Sequence, residues 1–366
     1  MSISPISLFT RSLHSSVATL IRQSLRFLQA RRDRAAAWHT TAKRDTCPCS
    51  ANAHSLLIGY ARSPFNCAAG SFVTPAISTI IVNYNAGAGL VSCIQSVINQ
   101  VSEVILVDNA SHDNSVALAE AQFAGDGRLR VIRNDTNLGF AAACNIGARA
   151  AHYPYWFFLN PDCICADASV AELYRVLTAN PKAGMVGGLL LNLDGSEQAG
   201  GRRLTPTPGR TLVSALGLRH FAKRWPELLV DFNLHQQPLP DTPIRVEAIS
   251  GACMLVKPAA VTEVGLWDDE YFLHCEDLDW CMRFVRAGWD ILFVPSAPIT
   301  HAQGVCSKSR PLFVEWHKHK GMTRFYRKFF RTSYSLPLLW LVIMAIWSRF
   351  GLIATANVLR RLIQRN

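Results

Sequence analysis

The stretch YWFFLNPD, Tyr155 to Asp162, decides how the rest of this chain is interpreted. Five bulky apolar residues end abruptly in Asn-Pro-Asp, a pattern typical of a buried strand that ends at a turn. In an open α/β sheet, ligands bind beyond the carboxyl ends of the strands, so Asn160 and Asp162 are expected at a cleft. Amide and carboxylate oxygens are suitable ligands for Mg²⁺ or Mn²⁺. The alternative is an ordinary Asn-Pro-Asp turn that follows a core strand.

Alternating strands and helices surround this stretch. The apolar runs predict strands at 77–82, 104–107, 128–132, 155–159, 184–191, 246–256 and 291–294. Helical spacing predicts helices at 88–99, after Ser115, after Phe140, at 167–179, from Pro258, and at 276–287. This alternation indicates an α/β protein with a mostly parallel sheet covered on both faces. Residues 194–243 are rich in Gly and Pro, which predicts an insertion or flexible loop across the cleft.

The positive charge of the chain is unevenly distributed. The 366 residues carry a formal charge of +11, and residues 1–75 supply much of it, with nine Lys or Arg and two Asp. This leader is interpreted as a targeting segment, a disordered arm, or an upstream extension from a wrongly chosen start codon. A second basic cluster lies near the C-terminus. Because the central region is not basic, no nucleic-acid partner is predicted.

The eleven cysteines are scattered, and several fall inside predicted strands and helices. Two pairs have CxC spacing, but no CxxC pair is present and no His stands at zinc-site spacing from them. The cysteines are therefore interpreted as reduced thiols in a cytosolic compartment.

A second informative stretch runs from Gly265 to Cys281. It contains six acids mixed with aromatic residues, and its end begins the predicted helix 276–287, with an apolar face of Leu278, Cys281, Met282 and Val285. Acids favour helix N-termini, which is a sufficient explanation for one of them. Asp279 has a structural partner in Arg283, four residues on, whereas Asp277 has none at that spacing.

The C-terminal region combines a basic run with a long apolar segment. Lys and Arg recur from 308 to 331 with aromatic residues between them, and residues 336–359 are almost entirely apolar. That segment is long enough to span a bilayer, but Arg349 lies near its middle. An amphipathic or re-entrant helix at a membrane surface is favoured, with the basic run against anionic lipid. A spanning helix and a soluble core helix are the alternatives.

Five motifs, in this order, resemble those of family 2 glycosyltransferases of the GT-A fold, especially bacterial rhamnosyltransferase-like members. They are IVNYN at 81–85, VDNASHDNS at 107–115, NLGFA at 137–141, FLNPD at 158–162 and EDLDWC at 276–281. The resemblance covers residues 77 to about 305 and implies a GT-A nucleotide-diphospho-sugar transferase fold. In that fold a mostly parallel mixed sheet is flanked by helices, and here a C-terminal membrane-associated helical segment is expected to follow.

The resemblance implies a substrate or metal role at several positions. Asn83 and Asp108 would border the nucleoside pocket, with Asp108 hydrogen-bonding the base or ribose. Asn137 would support the nucleotide from the next loop. Asp162, with Asn160, stands where the Asp-x-Asp motif of the family holds the metal and the diphosphate. Its first Asp is replaced here by Asn160, which puts that side chain in doubt as a direct ligand.

The resemblance also implies the catalytic base. Asp277 matches that position, Glu276 beside it is assigned to substrate binding, and His301 would complete the metal site. A lone His is otherwise more often structural. The sequence departs from the usual His-x-x-Gly-x-Ser ending, because Cys306 replaces the Ser while Gly304 is present. A base in an aromatic-lined cleft is expected to have a raised pKa. The resemblance leaves two alternatives for Trp267, Tyr271 and Trp280, which either pack on sugar faces or belong to the core.

The chain is therefore predicted to be an inverting, Mg²⁺- or Mn²⁺-dependent glycosyltransferase of cell-surface glycan synthesis. Its partners would be a nucleotide-sugar donor, a lipid-linked or polysaccharide acceptor, and a membrane surface. L-rhamnose from dTDP-rhamnose is the first choice of sugar, and the predicted location is the cytoplasmic face of the inner (plasma) membrane. The predicted organisation is a leader or disordered extension (1–75), a GT-A domain (76–310) and a membrane-associated helical segment (311–366).

Two other functions are considered, a nucleotidyltransferase of related fold and a non-catalytic scaffold. The first needs a basic, glycine-rich phosphate loop after the first strand, where Gly87 and Gly89 stand without Lys or Arg. The presence of Asp162, Asp277 and His301 argues against the second. A Rossmann dehydrogenase is excluded because no GxGxxG follows the first strand.

Overall fold

The computed structural model describes residues 75–215, 233–302 and 310–363. The strands of these ranges are β1 (Ile77–Asn83), β2 (Glu103–Asp108), β3 (Leu129–Arg133), β4 (Tyr155–Leu159), β5 (Cys163–Cys165), β6 (Ala183–Leu191), β7 (Arg202–Arg203), β8 (Ile244–Val246), β9 (Ala248–Ile249), β10 (Cys253–Val256) and β11 (Asp290–His301). The helices are α1 (Gly89–Val97), α2 (Ser115–Gln122), α3 (Phe140–Ala150), α4 (Ser169–Ala179), α5 (Pro208–Ala215), α6 (Pro258–Val264), α7 (Glu276–Arg286), α8 (Pro311–Phe330) and α9 (Leu336–Ile363). The predicted leader, residues 1–75, lies almost wholly outside the described residues.

Nine strands of the described residues form one sheet, in the order β3-β2-β1-β4-β10-β6-β11-β5, with β8 also paired to β11. The first four strands of that order are parallel to one another, whereas β10 is antiparallel to both of its neighbours. The register of β1 and β2 pairs Asn83 with Asp108, so both residues stand at the carboxyl ends of their strands. The predicted mixed sheet with helices is confirmed.

Alternate residues of the strands contribute side chains to two hydrophobic cores, one on each face of the sheet. Ile80 and Phe158 belong to the core that also takes side chains of α3, α7, α8 and α9. Ile81 and Phe157 belong to the core formed with α1, α2 and α4. This alternation follows from the two-residue period of a strand, and burial on both faces explains why the strands read as continuous apolar runs.

Three predicted elements were wrong in detail. The strand expected at 246–256 is broken into parts of β8, β9 and β10, because the chain turns at Ser250–Ala252 and changes sheet there. The strand expected at 291–294 continues, through an irregularity between Val294 and Pro298, as far as His301. The loop expected at 194–243 contains β7, paired with β9, and the helix α5; residues 216–232 lie outside the described residues.

The apolar C-terminal segment forms one long helix that packs against the protein along one side. By length and composition, residues 336–359 of α9 could cross a membrane, and this is the one such helix in the described ranges. Leu339, Val342, Ile343 and Ile346 are buried in the core that contains the aromatic side chains of α8. The opposite side carries exposed apolar residues, so α9 is two-faced and the soluble core helix alternative does not fit it.

Gly139 is expected to be essential for stability. Its φ of +88° is unfavourable for other residues, and a Cβ there would lie 2.6 Å from the carbonyl oxygen of Phe272. We expect Gly139→Ala to lower the free energy of unfolding by roughly 1–3 kcal/mol, measured by urea denaturation. Gly209→Ala is the control, because Gly209 lies in a helix with open space around it. Equal effects of both substitutions would contradict the explanation.

Candidate active site

The ends of β1 and β2 are joined by a buried polar network. Asn83 is fully buried, and its Nδ2 lies 2.9 Å from Asp108 Oδ1 and 2.9 Å from Ser115 Oγ. Ser111 donates to Asp108 through its hydroxyl (2.6 Å) and its backbone N–H (3.2 Å). The structure therefore brings Asn83 and Asp108 together, with Asn83 behind Asp108 as a support. The two serines extend a group that sequence patterns had identified only in part.

Asn137 belongs to a second network at the N-terminus of α3. Asn109 donates from Nδ2 to Asn137 Oδ1 (2.9 Å) and to the carbonyl of Gly139 (3.1 Å). Its own Oδ1 accepts hydrogen bonds from Asn134 Nδ2 and from the backbone N–H of Leu138. The loop that carries Asn137 is thus fastened to the end of β2, next to Asp108.

Asp162, Cys163 and His301 offer possible metal-ligand atoms that all lie within 4.8 Å of one another. His301 Nε2 is 3.1 Å from Asp162 Oδ1 and 3.4 Å from Asn160 Nδ2. These residues meet because β5 follows the Asn-Pro-Asp turn and pairs with the end of β11, with Cys163 opposite His301. Cys163 is the poorest ligand, since its Sγ contacts the carbonyl of Ala252 and thiols do not suit Mg²⁺.

Gln198 determines how His301 is oriented. Its Oε1 lies 2.6 Å from His301 Nδ1, and its Nε2 donates to the backbone carbonyl of His301 (3.2 Å). A carboxamide oxygen can only accept, so the proton of a neutral imidazole sits on Nδ1 and leaves the Nε2 lone pair directed at Asp162. This is the arrangement that metal-binding histidines require, and the residues present therefore fit a divalent cation.

The helix α7 holds the predicted base in a rigid position. Trp280 is fully buried, stacks on Trp267 at 4.2 Å between ring centroids, and donates from Nε1 to the carbonyl of Gly265 (2.9 Å). Trp267, Tyr271 and Trp280 are thus core residues rather than sugar platforms. The apolar face of α7 also differs from the prediction: Trp280 and Phe284 are more deeply buried than Met282.

Asp277 forms an ion pair with Arg203, which sequence patterns did not assign to the site. The guanidinium of Arg203 contacts Asp277 Oδ2 and also donates to the carbonyl of Ile249 (2.9 Å). Asp277 Oδ1 accepts the backbone N–H of Leu278 (2.8 Å), and its Oδ2 accepts that of Gly251 (3.3 Å). The pairing of β7 with β9 brings Arg203 here, and no local pattern revealed that contact.

The pKa of Asp277 is lowered, so the expectation of a raised value was wrong. Burial alone would raise this pKa, but the charge and hydrogen bond of Arg203, with two backbone N–H donors, outweigh burial. In contrast, burial and the charge of Asp277 raise the pKa of Glu276, whose Oε2 has no hydrogen-bond partner among the residues that the structure describes. The pKa values of the two neighbouring carboxyls are therefore shifted in opposite directions, and Asp277 is the ionised one of the two.

Arg203→Gln is expected to move the acid limb of the pH profile of kcat/KM to higher pH. Removing the guanidinium removes the main influence that lowers the pKa of Asp277, so the carboxylate becomes protonated at a higher pH. The measurement is kcat/KM over about pH 4 to 8. Arg175→Gln, which removes an exposed Arg on α4, is the control. An unchanged acid limb in Arg203→Gln would show that Asp277 does not control it.

Residues 251 and 252 connect the metal-ligand cluster with the carboxylate. The carbonyl of Ala252 accepts the backbone N–H of Asn160 (3.0 Å), while the adjacent Gly251 donates to Asp277. Asn160 and Asp277 are therefore held on opposite sides of one short turn at the carboxyl end of β4. The groups of Asn83 and Asn137 lie at the ends of the neighbouring parallel strands. All eight predicted site residues thus lie near the end of the sheet formed by the carboxyl ends of its parallel strands. Glu276 is turned into the protein interior.

Comparison with solved structures identifies the fold. The crystal structure of GalNAc-T7 with UDP, GalNAc and Mn²⁺ aligns with a TM-score of 0.50 at 20% identity, over 69% of this chain. The alignment covers 47% of that protein, so this chain spans about half of its length. At this identity the similarity concerns the fold alone, which is the GT-A fold of glycosyltransferases.

Sequence comparison shows which proteins this chain is similar to. Residues 78–231 match the family model for glycosyl transferase family 2. An N-acetylglucosaminyl-diphospho-decaprenol L-rhamnosyltransferase of Mycobacterium tuberculosis is 28% identical over 243 residues, which are 63% of this chain and 76% of that protein. Glycosyltransferase GlyG of Streptococcus pneumoniae is 33% identical over 102 residues, 27% of this chain and 34% of that protein. The chain therefore resembles family 2 glycosyltransferases, and the resemblance predicted from its five motifs is confirmed.

Proposed function

We propose that this protein is an inverting, metal-dependent glycosyltransferase that moves L-rhamnose from dTDP-rhamnose to a hydroxyl of a lipid-linked or polysaccharide acceptor. The observation that carries the proposal is the Asp162–His301 pair, joined through residues 251 and 252 to the carboxylate of Asp277. The rhamnosyltransferase named above supports the sugar and an acceptor of the sugar-diphospho-polyprenol class. The nucleotide bound by the aligned structure supports a nucleotide-sugar donor.

Each part of the site has a role in this reaction. Asp108, supported by Asn83, hydrogen-bonds the base or ribose, and Asn137 supports the nucleotide from the next loop. Asp162 and His301, with Asn160 beside them, would hold Mg²⁺ or Mn²⁺. What the cation supplies when bound is stabilisation of the negative charge on the leaving diphosphate.

Asp277 then takes the proton of the acceptor hydroxyl while that oxygen attacks the anomeric carbon. Because the base acts opposite the leaving group, the transfer is a single displacement with inversion. For this step Arg203 must move away from Asp277 Oδ2. Its guanidinium can then pair with a phosphate group of the substrate. Glu276, assigned to substrate binding from its position beside Asp277 at the N-terminus of α7, would have to turn out of the protein interior to make that contact.

The proposal includes a position at the cytoplasmic face of the inner membrane. The exposed apolar side of α9 and the basic residues of α8 support a helix pair that lies in the membrane surface. In this organisation residues 76–310 form the catalytic domain and residues 311–366 its membrane-associated segment. A polyprenol-linked acceptor is confined to the same surface, so this placement would bring enzyme and acceptor together.

Donor binding tests the proposal directly. The panel is dTDP-rhamnose, UDP-glucose, UDP-galactose and GDP-mannose, each titrated with and without Mn²⁺ into the wild type and into Asp162→Ala. We expect dTDP-rhamnose to bind with Mn²⁺ and to lose at least about 10-fold in affinity in Asp162→Ala. Asp167→Ala, which removes an exposed acid after the same turn, is the control. Folded protein that binds no donor with metal would favour a non-catalytic scaffold.

A further inference from the structure

A cavity of about 720 Å³ lies between the turn before α7 and the two C-terminal helices. It is separate from the metal-ligand cluster, and no role was assigned to it from the sequence. Tyr271, Phe272 and Leu273 form one wall, α8 forms the other, and Trp347 of α9 closes one side. The cavity is thus lined by aromatic rings and by a row of cations.

The cations come from one stripe of α8. Lys320, Arg324, Arg327 and Lys328 follow the i, i+4, i+7, i+8 spacing that places residues on one side of a helix. The charges of Arg324 and Lys328 are balanced by acidic side chains, because both residues form ion pairs with Asp268. Arg324 also pairs with Glu270, and Lys328 also pairs with Asp279.

The other two cations of the stripe are exposed and available. Within the described ranges, Lys320 and Arg327 take part in no ion pair, and the guanidinium of Arg327 lies 6.0 Å from the ring centroid of Trp340. Unpaired cations beside aromatic rings form a site for an anion, and Arg is well suited to phosphate oxygens.

Beside this cavity lies an apolar surface. The side of α9 that faces away from the core exposes large apolar side chains: Leu336, Trp340, Leu341, Met344, Leu352 and Leu359. Trp340 belongs to that surface and also contacts Arg327, while Trp347 lines the cavity. A cationic cavity and an apolar surface are therefore contiguous, which matches a ligand with an anionic head and a hydrocarbon tail.

One wall of the cavity leads directly along the chain into the helix that carries Asp277. Gly321 of α8 packs so tightly on the turn before α7 that a Cβ there would lie 2.7 Å from the carbonyl oxygen of His274. His274 and Cys275 have positive φ values, 67° and 72°, and redirect the chain from the cavity wall into α7. Asp277 follows two residues later. A ligand in the cavity is thus positioned beside the helix that carries the base.

We propose that this cavity binds the diphosphate of a lipid-linked acceptor, with Lys320 and Arg327 contacting the phosphate oxygens and the lipid tail lying along the exposed side of α9. The inference rests on the proposed function, because it identifies how the acceptor of that reaction is held. In this arrangement the sugar attached to the diphosphate extends towards Asp277.

Binding of farnesyl diphosphate to the full chain in a neutral detergent tests the inference. The titrations contain EDTA, so that the diphosphate cannot bind through a metal at Asp162. Inorganic diphosphate represents the head alone, farnesol the tail alone, and mixed phosphatidylcholine–phosphatidylglycerol vesicles a general anionic membrane. The test variant is Lys320→Gln/Arg327→Gln. The matched control is Lys318→Gln/Arg331→Gln, which removes one other cation of α8 and the cation that directly follows this helix, neither of which lines the cavity.

We expect farnesyl diphosphate to bind the wild type and the control alike, and the test variant at least about 10-fold more weakly. Unchanged binding by the test variant would overturn the inference, and so would equal affinity for inorganic diphosphate, which would indicate a free phosphate site. Displacement by the anionic vesicles would instead indicate general membrane adhesion and would also overturn it. Thermal unfolding of both variants shows that they are folded.

The donor titrations with Mn²⁺ separate this result from the proposed function. Donor binding without farnesyl diphosphate binding would refute the acceptor site and leave the transferase proposal standing. If the wild type binds neither a donor nor farnesyl diphosphate, the proposed function and the acceptor site are both refuted.

Discussion

Asp277→Asn is expected to lower kcat about 10²- to 10⁴-fold while donor binding with metal is retained. Asparagine keeps the shape, and its single carbonyl oxygen can accept one of the two backbone hydrogen bonds from Gly251 and Leu278, but it cannot take the proton of the acceptor hydroxyl. Because the substitution leaves the Arg203 guanidinium without its counter-charge, thermal unfolding must show that the variant is folded. The measurement is initial rate against acceptor concentration.

Two other variants make this result specific to Asp277. Asp269→Asn, an exposed member of the same acidic stretch, is expected to retain the wild-type rate. Glu276→Gln tests the neighbouring carboxyl. If Asp277→Asn stays within about tenfold of the wild type while Glu276→Gln loses more, the base must be reassigned to Glu276.

The second large effect is expected at the metal site. Substitution of His301 by Ala removes a proposed metal ligand, and we expect Mn²⁺ affinity, measured in the presence of donor, to fall at least about 100-fold. Gln198→Ala leaves both ligands in place but releases Nδ1 of His301, so the expected loss is about 10- to 100-fold. Chelation with EDTA should abolish activity, and added Mn²⁺ should restore it.

Cys163→Ser is the control for the metal experiments. Cys163 belongs to the same three-residue cluster, but its thiol contacts the carbonyl of Ala252, and a hydroxyl can keep that contact. Mn²⁺ affinity is therefore expected to stay close to the wild-type value. If Cys163→Ser weakens binding and His301→Ala does not, the ligand assignment is wrong.

In the described structure, the ion pair with Arg203 occupies one carboxylate oxygen of Asp277, the proposed base. As long as Arg203 covers Oδ2, the base is ionised but occupied, and its low pKa makes it a weak proton acceptor. Substrate phosphate that draws Arg203 away would free the oxygen and also raise the pKa of Asp277. Binding of substrate would in this way produce a stronger base when it is needed.

Several elements were predictable because local patterns govern them. Buried strands such as β1, β2 and β4 are continuous apolar runs, and their ends were identified to within a few residues. The pairing of Asp279 with Arg283 followed from helical spacing and is present at 2.7 Å. Asp279 is nevertheless completely buried and is also contacted by Lys328, a partner far along the chain that spacing could not identify.

The sequence by itself determined the α/β architecture, the strand ends that carry Asn83, Asp108 and Asp162, and the resemblance to family 2 glycosyltransferases, because these depend on periodicity and short motifs. Only the tertiary structure decided which residues surround them. Gln198 reaches His301, and Arg203 reaches Asp277, through contacts between segments about 75 to 100 residues apart. Such contacts produce no periodic pattern in the sequence, because they depend on how the strands are assembled into the sheet. The same physical reason explains why the pKa of Asp277 was predicted in the wrong direction: its sign is set by a cation that only the fold brings near.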